Sequence, residues 1–138
     1  MNNLADQNIE IIAKDGVDLC YIVRAGFEPE TTTFITQPEY KQQVGFIKYG
    51  AGSVIARHTH VPLERRIVGT SEVVFVRRGS CQLEVYAEDR ELVATRDVGA
   101  GDLILMVSGG HGFNVHEDTV LLEVKQGPYT GLEEKERF

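Results

Sequence analysis

The chain has 138 residues, with 14 Lys+Arg against 21 Asp+Glu, a net charge of −7 and a pI near 5.1. Its length and ordinary globular composition (42% hydrophobic, 25% charged) predict a single domain, with one core that buries roughly two-thirds of the unfolded surface. The acidic balance, without any basic block, argues against nucleic-acid phosphates as partners, and the longest apolar run, residues 103–107, is far too short for a membrane span.

Along the chain, Gly and Pro recur about every eight to twelve residues, separated by short β-branched stretches, a rhythm that predicts an all-β sandwich or barrel. Residues 1–6 lack both a basic start and an apolar stretch, so no signal peptide is expected. Strands are expected at 9–13, 19–23, 31–36, 43–49, 54–60, 72–77, 81–86, 91–96, 102–107, 112–116 and 119–125. Turn chemistry separates them at Asp15-Gly16, Arg78-Gly79, Glu88-Asp89, Gly101-Asp102, Gly109-Gly110 and Glu117-Asp118. Residues 131–138, with their Glu-Glu-Lys-Glu-Arg run, read as a short helical or frayed tail. Cys20 and Cys81 have no C-x-x-C spacing and alternate with apolar neighbours; both are expected in the core of a reduced, cytoplasmic protein.

Period two decides which side chains meet. Val54, Ala56, His58 and His60 would share one face of a strand, as would Glu72, Val74 and Val76. Several strands are apolar at both parities, for example Leu103 and Leu105 beside Ile104 and Met106, so a second cover is needed. A homodimer would supply it.

His58-Thr59-His60 places two imidazoles on one face of an extended segment, about 7 Å apart at the usual rise. Such a pair can present two nitrogen ligands to one metal ion, with further ligands from neighbouring strands. His111, after Gly109-Gly110, and Glu72, which opens an alternating strand, are the candidates for those places. Spacing alone leaves metal binding and an ordinary surface histidine pair about equally favoured. His116, beside a Glu-Asp turn, reads as a surface histidine.

The stretch Gly52-Ser53-Val54-Ile55-Ala56-Arg57-His58-Thr59-His60 resembles the opening of the first cupin motif, G-x5-H-x-H, and Glu72 with Gly79 resembles its close, E-x6-G. Residues 101–114, from Gly101 through His111 to Asn114, resemble the second motif, G-x5-P-x-G-x2-H-x3-N, with Val107 in the proline position. The resemblance implies a double-stranded β-helix (jelly-roll) barrel. Strands before about residue 48 would lead into motifs over about 49–127, with a tail at 128–138. It also implies one divalent transition metal (Fe, Mn, Ni or Zn) held by His58, His60, Glu72 and His111. The usual motif spacing would place the carboxylate at Glu64 instead. Glu72 is preferred because a strand fixes its direction, whereas Glu64 sits in a loop bearing Pro and Arg.

Other polar groups suggest the substrate. Arg57, Arg65 and Arg66 surround the histidine pair in sequence, and an Arg fork suits a carboxylate, although each is individually more often a solvated charge. Glu123 and Lys125 share one face of the final strand, either as acid and base or as an edge ion pair, and Tyr129 completes the candidate catalytic set. Residues 109–129 resemble small bacterial cupins encoded among surface-polysaccharide genes, which implies a sugar or sugar-acid substrate. The expected function is therefore a metal-dependent isomerase, epimerase or lyase. A cupin dioxygenase and a non-catalytic metal- or carbohydrate-binding module are the alternatives.

Overall fold

Residues 8–131 and 133–138 are described by a computed structural model, and every regular element among them is a β-strand. In chain order these are β1 (Ile9–Lys14), β2 (Val17–Val23), β3 (Thr33–Phe34), β4 (Gly45–Phe46), β5 (Glu72–Arg78), β6 (Ser80–Tyr86), β7 (Leu92–Gly99), β8 (Leu103–Met106), β9 (Gly110–Val115) and β10 (Val120–Lys125). No helix among the described residues is long and apolar enough to cross a membrane. The chain divides into two compact units, Met1–Phe27 with Thr70–Phe138, and Glu28–Gly69.

The larger unit is built from two antiparallel sheets, a five-stranded one ordered β1-β2-β8-β5-β10 and a three-stranded one ordered β7-β6-β9. Alternation explains how they meet. Val74 and Val76 of β5, Ile104 and Met106 of β8, and Cys20 and Ile22 of β2 point to one side of the first sheet. There they share a core with Cys81, Leu83 and Val85 of β6 and Val98 of β7. Cys20 and Cys81 are fully buried free thiols, as their alternation predicts, and burial pushes the Cys20 thiol up to about 12. The opposite face of the first sheet is also apolar: Val73 lies in register with Leu105 and Val124, and Phe75 with Leu103 and Leu122.

Between β5 and β6 the chain crosses from one sheet to the other at Gly79. There φ is +92°, and a Cβ would stand 2.5 Å from the Asp118 carbonyl oxygen, so the corner admits only glycine. Between β7 and β8, Asp102 closes the Gly101-Asp102 turn. Its nearly buried carboxylate accepts hydrogen bonds from Arg24 Nη1 (3.1 Å), the Ala25 amide (2.9 Å) and the Gly99 amide (2.9 Å). One side chain therefore ties the end of β2 to the β7–β8 turn.

In the smaller unit, Glu28–Gly69, β3 pairs only with β4, Thr33 opposite Phe46 and Phe34 opposite Gly45. The strands expected at 31–36 and 43–49 are thus shortened to two residues each. The strand expected at 54–60 does not form: the segment is exposed and has no ladder partner among the described residues. Alternation can make a segment extended, but a strand also needs a neighbour to take its backbone groups. The tail at 133–138 is neither helical nor paired as a strand.

Asp102→Ala is expected to lower unfolding free energy by about 3 kcal/mol, because buried donors lose their acceptor. Urea titration should show a lower midpoint with an unchanged slope.

Candidate functional site

The inward row of β5 runs Val76, Val74, Glu72, and Glu72 lies opposite Met106 at the end of the β5–β8 ladder. On the facing sheet, His111 of β9 is paired with Val85 of β6, again one step beyond the apolar core. Strand parity and register therefore deliver a carboxylate and an imidazole to the same rim from opposite sheets. His111 Nε2 stands 3.2 Å from Glu72 Oε2, with the side chains 29% and 11% exposed. This separation suits a hydrogen bond, and the chemistry of the two groups also suits joint ligation of a cation.

Both residues line a cavity of about 610 Å³, together with Met106, Phe113, Glu84, Tyr86 and residues of the C-terminal tail. Its size falls within the usual range for small-molecule sites. Gly109 shapes the entrance to β9: φ is +73° and a Cβ would stand 2.2 Å from the Tyr86 carbonyl oxygen.

Glu123, expected on one face of β10 with Lys125, is hydrogen-bonded to Glu72. The His111 hydrogen bond holds the Glu72 carboxyl down to about 2, against the cost of burial, and Glu123 contributes in the same direction. Glu123 shifts upward, first because its hydrogen bond to Glu72 favours the protonated form and then through desolvation. The two carboxyls thus titrate as a pair, Glu72 lowered and Glu123 raised. Lys125 Nζ lies 3.8 Å from Glu134 Oε2, and Tyr129 is 89% exposed and does not line the cavity.

The remaining candidates lie in the Glu28–Gly69 unit. The His58 and His60 ring centroids are 5.3 Å apart, and His58 Nδ1 is 2.8 Å from the Ala56 carbonyl oxygen. A backbone carbonyl on Nδ1 fixes that nitrogen as the donor and leaves Nε2 free to accept a metal. Glu64, Arg57, Arg65 and Arg66 are exposed. Among the described residues no group of three or more His, Cys, Asp or Glu side chains is clustered to hold a metal ion. The donors occur as two pairs, Glu72 with His111 and His58 with His60. His116 is a surface histidine as expected, 3.2 Å from Asp97 Oδ1.

Sequence reasoning passed over Glu84, Tyr86, Arg90 and Phe138, although Tyr86 and Glu84 share the parity opposite Leu83 and Val85. Their partners across the ladder are Gly110 and Gly112, and that pair of missing side chains was the available signal. Comparison with protein-family models, with curated proteins and with solved structures finds no match.

The unequal pair makes stability depend on pH in two opposed ways. Glu72's contribution is complete above its ordinary value of 4.5 and is lost as pH falls toward about 2. Glu123's contribution is present while it is protonated and is lost as pH rises through its raised value. Glu123→Gln keeps a donor for Glu72 but cannot ionise. Its Tm should exceed the parent's at pH 7 by a few degrees, and calorimetric scans should show the difference vanishing toward pH 3.

Proposed function

We propose that this protein is a divalent-metal-dependent enzyme of cupin type that isomerises, epimerises or eliminates on a small sugar or sugar acid. The observation that carries the reading is the Glu72–His111 contact, made from two facing sheets at the wall of a cavity of about 610 Å³. Glu72 and His111 would supply two ligands to the metal, and a mixed nitrogen and carboxylate set suits Fe(II), Mn(II), Ni(II) or Zn(II). The fit rests on donor chemistry: the Glu72 carboxylate is ionised beside the His111 imidazole. When bound, the metal supplies Lewis-acid polarisation of a substrate oxygen.

The chain's own groups supply the rest. Glu123, on β10 in register with Val74, would hydrogen-bond Glu72 and hold that carboxylate in place. Lys125, on the same face of β10, is the neighbouring cation and the candidate proton carrier. The same reading takes the protein as a homodimer. The apolar outer row of β5 and β10 supports it, because Leu122 and Val124 are 53% and 52% exposed there.

Metal analysis of untagged protein tests the reading. The parent should hold about one equivalent of metal, and Glu72→Gln/His111→Ala should hold almost none. A folded parent that takes up none of Fe, Mn, Ni or Zn would overturn it in favour of a non-catalytic binding module. With metal bound, turnover of a sugar acid that consumed oxygen would point to the dioxygenase instead.

A further inference from the structure

The cavity continues around the edge of β9. On its inner side it meets His111 and Phe113, and on the outer side Glu84, Tyr86, Gly110 and Gly112. Tyr86 lies in register with Gly110 and Glu84 with Gly112, so no β9 side chain stands beside the Tyr86 ring. The ring is fixed from its far end: the Tyr86 hydroxyl donates to Glu84 Oε2 at 2.5 Å, and Asn114 Nδ2 donates to Glu84 Oε1 at 2.5 Å. A braced aromatic ring beside an empty strand position makes a slot of ring thickness.

The last residue of the chain fills that slot. Phe138 meets Tyr86 edge to face, with centroids 5.0 Å apart and planes at 86°, and its ring lies 3.1 Å from where a Gly110 Cβ would be. The Arg90 guanidinium stands 5.0 Å from the Phe138 ring centroid, and its Nη2 lies 3.1 Å from Glu136 Oε1. Arg90 therefore receives a ring and a carboxylate together. Its backbone is unusual: φ is +70° in the turn between β6 and β7, a conformation that glycine or asparagine adopts more easily. The two contacts of the guanidinium account for an arginine at such a position. Phe138 is nonetheless 61% exposed, so the tail is held at its edge and can leave.

We propose that Tyr86, Arg90 and Gly110 form a subsite for a six-membered ring that presents an apolar face and carries a carboxylate, occupied in the free protein by the chain's own Phe138 and Glu136. A ligand ring would lie against Tyr86 over Gly110 while its carboxylate takes Arg90 from Glu136. Ligand and tail use the same groups, so they compete. An arene acid and a uronic acid share this chemistry, the second through the apolar face of its pyranose ring.

The subsite contains no metal donor, so its test is run on the full chain in EDTA and stands apart from the metal reading. The Gly110 amide of 15N-labelled protein is followed by NMR while 3-phenylpropionate, or separately D-glucuronate, is added. At least one probe should shift that amide saturably, and the probe that does so identifies the ring source. Phe138→Ala should bind that probe roughly tenfold more tightly if the tail is docked about nine-tenths of the time. Arg90→Gly should melt no lower than the parent, because it relieves the backbone, yet lose the binding. Arg90→Gln, with the backbone demand unchanged, should lose it as well. The proposal is overturned if neither probe moves Gly110, if Phe138→Ala binds no more tightly than the parent, or if both Arg90 variants bind as the parent does.

Discussion

Two sheets that share one apolar core leave only the rims of that core for polar chemistry. Val74, Val76, Ile104 and Met106 close against Cys81, Leu83 and Val85, and a charge among them would have no water and no partner. One strand step further out, Glu72 and His111 have both the core's rigidity behind them and a cavity in front. The position of the candidate site is thus a consequence of where the core ends. At the opposite end of the β5–β8 ladder, the glycine corner at Gly79 and the carboxylate clamp at Asp102 fix how the chain passes between the sheets and how β7 turns into β8.

Charge is distributed economically at this rim. Glu72 could not be kept as a nearly buried carboxylate on its own, since desolvation opposes ionisation. His111 from the opposite sheet and Glu123 from the neighbouring strand together outweigh that cost. The same arrangement makes the site asymmetric, with one carboxyl lowered and its neighbour raised. Such asymmetry is what either joint metal ligation or proton transfer needs from its protein groups.

The C-terminal tail gives the cavity a second wall that is not part of either sheet. It is held by a handful of contacts at its tip, namely Phe138 on Tyr86 and Glu136 on Arg90, with Glu134 near Lys125. Exposed ion pairs of this kind contribute little individually. A segment held only by these contacts is less stable than the core strands beneath it.

Much of this was legible in the sequence. Alternation located β5, β6, β8 and β10 to within a residue or two, together with the core places of Cys20, Cys81, Leu83 and Ile104. It also marked Glu72 as strand-borne and Glu123 with Lys125 as facing one way. These features are local, because a period of two fixes direction wherever an extended chain is paired. Pairing itself is not local. The sequence around His58 and His60 also alternates, yet among the described residues that segment has no ladder partner, because its backbone groups depend on what distant residues offer them. The tertiary structure alone decided that His111 meets Glu72, that Glu123 comes beside Glu72, and that Phe138 settles on Tyr86 beside Arg90. Each is a contact between strands or segments far apart in the chain, and only the register of two packed sheets sets such distances.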